Sequence, residues 1–369
     1  MNNKKYEVLG GGVHQLNNTQ NKPSMNLQLF ALEYNKVDNP SIITLTHPIY
    51  IKGDNIEWLV DLSDYASSKI TDYDTMTTLP DTTIAYLNQG FKATSMYQMF
   101  NGCSALTTIP KFDTDTTKNT SIEAMFKGCS SLESVDLSWI NTDGCDDFSD
   151  VFNGCSFVIE LDVSDWDTQK VRSFASMFKE CSSLSSLDLS NFDTTKATNI
   201  GSMFSGCSQL SSIILGSKFN TSLIKDFSYL FQGDSSLTIF TFDKTSFVGT
   251  SATNISGMFE ECSGLTSIDL SGFNAYNIVS ANYTFQNCSN VETIDISGID
   301  TSTIQNFKYI FDGCSSLTTI NGVLDMKSAV NYKGMFGTCP NLKGLKVKNP
   351  PADFQDQTWI GSSQFTVVS

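Results

Sequence analysis

The sequence predicts an α/β repeat solenoid, with one short parallel strand and a short helical return in each coil of about 26 residues. Three observations carry this prediction. Cysteines at 103, 129, 155, 181 and 207 stand 26 residues apart; Asp234 takes the next place, and Cys262, Cys288, Cys314 and Cys339 resume the series, so ten coils are counted. A phenylalanine stands three residues before each of these positions, from Phe100 through Phe178 to Phe336. A leucine-rich stretch follows each of them, as in Leu184, Leu187 and Leu189 after Cys181. A unit this short cannot bury its own apolar face, so each copy has to stack on its neighbours to form one continuous core.

A fixed period overrides the domain count that 369 residues would otherwise imply, because a solenoid lengthens without enlarging its core. The net charge of −16 argues against nucleic acid and against anionic membrane surfaces, since phosphate binding calls for a basic stripe. No run of 18 apolar residues is present, so no membrane insertion is expected. Lys4 and Lys5 are followed by Val8-Leu9 and then Gly10-Gly11-Gly12, not by an apolar stretch of signal-peptide length, so ordinary secretion is not expected from this end.

In chain order, residues 1–57 read as an attachment or cap region. Up to about residue 24 they have the composition of a flexible arm, and Ile42-Ile43-Thr44-Leu45 and Ile49-Tyr50-Ile51 then mark short strands bounded by Pro40 and Pro48. Residues 58–345 read as the solenoid. Its entry coils are degraded: Val60-Asp61-Leu62-Ser63 mirrors the later Leu-Asp-Leu-Ser segments, and a further imperfect coil surrounds Leu79. Residues 346–369, with Pro350-Pro351, Trp359 and Phe365, are expected to cover the last open coil.

Within a coil, Leu187 and Leu189 alternate with Asp188, the pattern of a half-buried strand. Val171, Phe174, Met177 and Phe178 fall at i, i+3, i+6 and i+7, which reads as one or two helical turns with one buried face. The methionines of this segment, among them Met99, Met125, Met203, Met258 and Met335, read as core. Between strand and return, Phe192-Asp193-Thr194 supplies side chains that bind nearby backbone amides and fix a turn. Nine of the ten cysteines form a single inward column and are expected as reduced core thiols, while Cys145, outside the column, is expected nearer the surface.

The unit Met177-Phe178-x-x-Cys181-Ser182-Ser183-Leu184-x-x-Leu187-Asp188-Leu189-Ser190-x-Phe192-Asp193-Thr194 resembles the 26-residue repeat of bacterial surface proteins, a relative of BspA-like leucine-rich repeats, over about 250 residues. The resemblance implies a parallel solenoid used for adhesion and partner binding, not for catalysis.

The residues agree with a non-enzymatic protein without cofactors. His14 and His47 lie in the irregular N-terminal part without metal-ligand spacing, and no nucleophile elbow or phosphate loop is present. The outward strand positions form an acidic ladder, Asp136, Asp162, Asp188, Asp269 and Asp295, a weak calcium candidate because hard cations take carboxylate oxygens. The ladder breaks where coils five and six lengthen to 27 and 28 residues and carry Ile214 and Thr241 at the outward place. With Ile239 also expected outward, and Lys218, Lys244 and Phe247 in nearby loops, this break between Asp188 and Asp269 is the partner-binding candidate. Simple repeat decay remains the competing explanation. The expected partner is a protein or glycan on a cell surface. The expected setting is a virion, with residues 1–57 contacting other virion proteins, because Asn26-Leu27-Gln28-Leu29-Phe30-Ala31 resembles the opening of some tailed-phage structural proteins. A bacterial cell-surface adhesin and an intracellular scaffold are the alternatives.

Overall fold

A computed structural model describes residues 4–8, 13–16, 31–34, 44–53, 56–62, 93–109, 111, 115–238, 244–354 and 365–369; for the strands up to residue 94 the description is of the backbone. The chain divides into two compact units, residues 1–158 and 159–369.

In the first unit, β1 (Lys4–Val8) pairs antiparallel with both β2 (Val13–Leu16) and β3 (Ala31–Tyr34). The part expected as a flexible arm thus contains a hairpin, whose alternating Tyr6 and Val8 precede a run of glycines. β4 (Thr44–Gly53) joins the two runs expected as separate strands, and its register shifts between Leu45 and Ile49, around the Pro48 that cannot donate to a ladder. It pairs antiparallel with β5 (Ile56–Leu62) and β6 (Ala93–Ser95). The boundary expected between residues 57 and 58 therefore falls inside β5, and Val60-Asp61-Leu62 belongs to an antiparallel sheet instead of a parallel coil. β7 (Thr108–Ile109) and β8 (Ser134–Val135) then pair in parallel, one repeat apart.

In the second unit the parallel strands are β9 (Ser186–Leu189) beside β10 (Ser212–Leu215), and β11 (Ser267–Asp269), β12 (Thr293–Asp295) and β13 (Thr319–Asn321) in order. β14 (Leu324–Asp325), β15 (Leu345–Lys348) and β16 (Phe365–Val367) close the unit as another parallel sheet. β16 pairs in parallel with β15, and Phe354 meets Phe365 edge-on at 5.4 Å. Trp359 lies outside the described residues.

The helical return is the main correction. No return segment among the described residues is helical; it is instead a leg of a parallel β-solenoid whose amide groups alternate between two kinds of partner. Phe174, Ser176, Phe178 and Glu180 donate their N–H groups to Asn199, Gly201, Met203 and Ser205 of the next coil, at 2.7–3.0 Å. Met177, Lys179 and Cys181 between them bond back three residues, to Phe174, Ser176 and Phe178, at 3.1–3.2 Å. A helix would turn every N–H back along its own chain. Here half of them join the coils, and the chain achieves this by a left-handed residue five positions before each column cysteine or its substitute. The residues concerned are Gln98, Ala124, Asp150, Ser176, Ser202, Tyr229, Gly257, Tyr283, Tyr309 and Gly334, with φ between 53° and 65°. For the non-glycines this conformation costs about 1–2 kcal/mol each, offset by the inter-coil bonds it makes possible. The apolar spacing was real, but it reflects an inward face reached by alternating right- and left-handed residues.

The core is a set of columns. In the second unit the rings of Phe178, Phe204, Phe231, Phe259, Phe285, Phe311 and Phe336 stack one on the next, with centroids 5.3–6.0 Å apart and interplanar angles of 4–16°. Phe100, Phe126 and Phe152 do the same in the first unit. Met99, Met125, Met177, Met203, Met258 and Met335 are buried, as their spacing predicts. All ten cysteines are free thiols. Cys145, expected nearer the surface, is fully buried instead, within 3.4 Å of the Asn119 side-chain amide.

Candidate functional site

The outward positions of the parallel strands are the surface on which the sequence placed its candidates. Period-two alternation puts Leu187 and Leu189 inside and Ser186 and Asp188 outside β9. Across the ladder, Asp188 stands directly beside Ile214, and Asp269 beside Asp295, which in turn stands beside Asn321. Ile214 is 53% exposed, so an apolar side chain does follow the acidic one on the open face. Ile239 and Thr241 lie outside the described residues.

Each aspartate of the ladder has a local structural task. Asp136, Asp162, Asp188, Asp269 and Asp295 each accept the backbone N–H of the serine two residues on, Ser138, Ser164, Ser190, Ser271 and Ser297, at 2.8–3.1 Å. These turns close the strand ends. The serine bonds hold the carboxyls of Asp136, Asp162 and Asp188 below the ordinary range. At Asp269 the Lys244 ammonium leads, its Nζ 2.7 Å from Oδ2, and with Ser271 it lowers the carboxyl to about 2. Lys244 also donates to Ser271 Oγ at 2.6 Å, so it is engaged along the ladder. Among the described residues, no group of three or more metal-capable side chains comes together.

Lys218 reaches towards Asp193, with 3.9 Å between Nζ and Oδ2. The two belong to a polar cleft at the turn edge, which Asp165, Asp167, Gln169 and Asn191 also line. The cleft is held open by Asn191, whose Nδ2 donates to the carbonyls of Val163, Ser164 and Trp166 at 2.9–3.1 Å. Sequence reasoning found Lys218 but missed its cleft, because the lining comes from three successive coils. Phe247, expected on the surface near Lys244, is 5% exposed and packs against Phe227 and Phe273, so it belongs to the core.

The buried threonines of two successive turns, Thr168 and Thr194, have a longer reach than the sequence implied. Thr194 Oγ1 donates to the Asn220 carbonyl at 2.8 Å and accepts the Asn220 N–H at 2.7 Å, clipping one coil to the next. Thr168 makes the same exchange with Asp193. The neighbouring aspartate does what was expected of it, since Asp193 Oδ1 accepts the Thr195 N–H at 3.1 Å.

A recurring turn, strand and left-handed return on one period is a family signature, and comparison by sequence finds it. The family described as "Mycoplasma protein of unknown function, DUF285" matches residues 94–215, 120–241, 181–293 and 239–348. The chain belongs to this family. The matches cover the DUF285 repeats from residue 94 and leave β1 to β5 outside. No curated protein matches the sequence. Among solved structures, the crystal structure of a TLR13–ssRNA13 complex is similar at 14% identity and a TM-score of 0.22, over 70% of this chain. The chain spans 43% of the length of that chain.

Proposed function

We propose that this DUF285 chain is a non-enzymatic binding solenoid that recognises a protein or glycan on a cell surface through its outward strand face and the adjoining turn-edge cleft. One observation carries the reading. The inward positions repeat the same residue types from coil to coil, while the outward column changes chemistry within a single step, from Asp188 to the exposed Ile214. Stability explains the inward repetition, but a 53% exposed isoleucine beside Asp188 gains little from folding. Beside it, the carboxylates, amides and Lys218 of the cleft offer donors and acceptors to a polar ligand.

The bacterial family favours display as a cell-surface adhesin. The virion setting is the second reading; it rests on residues 26–31, of which Ala31 alone falls in a described strand. Immobilised full-length chain incubated with intact host cells tests the first claim, with capture expected for the native chain and lost for Ile214→Asp. Capture that Ile214→Asp leaves unchanged would move the contact off this face. Mass spectrometry of purified particles and of the cell-surface fraction then separates the two settings.

A further inference from the structure

Three tyrosines of the second unit occupy the left-handed position of the return leg, away from the strand face. Tyr229, Tyr283 and Tyr309 have φ of 56°, 61° and 54° and are half-buried. Glycine stands at the same position in the coils that follow the first and the last, as Gly257 and Gly334. A Cβ on Gly257 would collide with the Tyr229 ring and lie 3.1 Å from Glu260 Oε2, so the ring and the carboxylate meet above that glycine. Gly334 makes the same room for the Tyr309 ring.

At the Tyr309 end this strip already holds a cation. The rings of Tyr283 and Tyr309 lie 5.8 Å apart, and the ammonium of half-buried Lys308 stands over both, 5.6 and 5.1 Å from their centroids. The Tyr229 end offers a similar ring with a carboxylate added and no lysine. Glu260 accepts a hydrogen bond from Gln232 Nε2 at 3.0 Å, and partial burial, followed by the neighbouring Glu261, pushes its carboxyl above the ordinary range. Lys127–Asp150, Lys179–Glu180, Lys218–Asp193 and Lys244–Asp269 are ion pairs of the described residues, and neither Glu260 nor Glu261 takes part in these.

We infer that the Tyr229–Glu260 end of the strip is a docking site for a lysine or arginine side chain of a protein partner. The inference rests on the binding reading above and names the chemistry of one contact. A cation over a half-buried tyrosine face is attracted by the ring quadrupole, and a partly desolvated carboxylate beside it strengthens the attraction. A neutral glycan would stack on the ring equally well, but would leave Glu260 and Glu261 without a counter-charge. The net charge of −16 draws a basic partner towards this surface, and Lys308 shows how an ammonium group sits on it.

Calorimetric titration of the full-length chain with a short oligolysine peptide at low ionic strength tests the inference. One site is expected, weakened about tenfold by Glu260→Gln and by Tyr229→Leu, and unchanged by Asp146→Asn, which removes the same charge from an exposed position of the first unit. Equal weakening by all three variants would mean bulk charge attraction, and no weakening would place the peptide elsewhere; either overturns the site. So does a neutral oligosaccharide whose binding falls with Tyr229→Leu but not with Glu260→Gln. Thermal melts confirm that each variant folds. If cells capture Glu260→Gln as well as the native chain, the docking site falls while the binding reading stands.

Discussion

The thiol of Cys207 donates to the backbone carbonyl of Phe178, 3.1 Å away and one coil back. The same bond joins Cys288 to Phe259, Cys314 to Phe285 and Cys339 to Phe311, so the cysteine column is a hydrogen-bond ladder as well as a packing column. Burial raises the thiols of Cys207 and Cys288 and keeps them protonated donors.

Asp234 breaks that ladder. Its carboxyl is 1% exposed, and among the described residues neither oxygen has a hydrogen-bond partner. Desolvation pushes it well above the ordinary carboxylate range. A carboxyl raised in the folded state stabilises most when protonated in both states; that contribution is lost as pH rises from the ordinary carboxylate value through the raised one. Asp234→Cys should therefore be more stable than the native chain by about 1–3 kcal/mol at neutral pH. In thermal melts, the advantage of Asp234→Asn should grow between acidic and alkaline pH; an advantage independent of pH would show that Asp234 is not the titrating group.

Phe178 is fully buried and stacks on Phe204 at 6.0 Å. Phe178→Ala should lose about 3–5 kcal/mol in urea unfolding, because the rigid column cannot collapse around the gap. An unchanged midpoint would remove Phe178 from the core.

Thr194 both donates to and accepts from Asn220 while 1% exposed. Thr194→Val keeps the shape but leaves two backbone groups of the next coil unpaired, which should cost about 1–3 kcal/mol; Thr194→Ser should recover most of it. Equal melting temperatures for the two variants would contradict the clip.

Lys244 and Asp269 form an exposed pair, so Lys244→Met should change stability by less than about 1 kcal/mol. The carboxyl, now at about 2, should titrate closer to the ordinary value, visible by NMR. The sign follows from a depressed folded value: the pair's contribution is present above the ordinary carboxylate range and is lost as pH falls towards 2.

Ile214→Asp continues the ladder beside Asp188 and should change the unfolding free energy by no more than about 0.5 kcal/mol, as expected for an exposed site. Surface plasmon resonance against a captured partner should then report the loss of the apolar contact without loss of fold.

The sequence by itself determined the period, the inward columns and the parallel strands of the coils that carry one, because these depend on spacing alone. Phe178, Cys181, Leu187 and Leu189 all point inward as their positions require. It also carries a sign of the return: glycine precedes Cys103, Cys129, Cys155, Cys207, Asp234 and Cys314, and each of those glycines is left-handed. A helix and an alternating β-leg leave nearly the same apolar spacing, and only the hydrogen-bond partners tell them apart. Those partners are one coil away, beyond any local window, so tertiary stacking decided the return conformation. It equally decided the reach of Thr194, the burial of Phe247 and the meeting of Tyr229 with Glu260 over Gly257, because each of these joins residues from different turns of the solenoid.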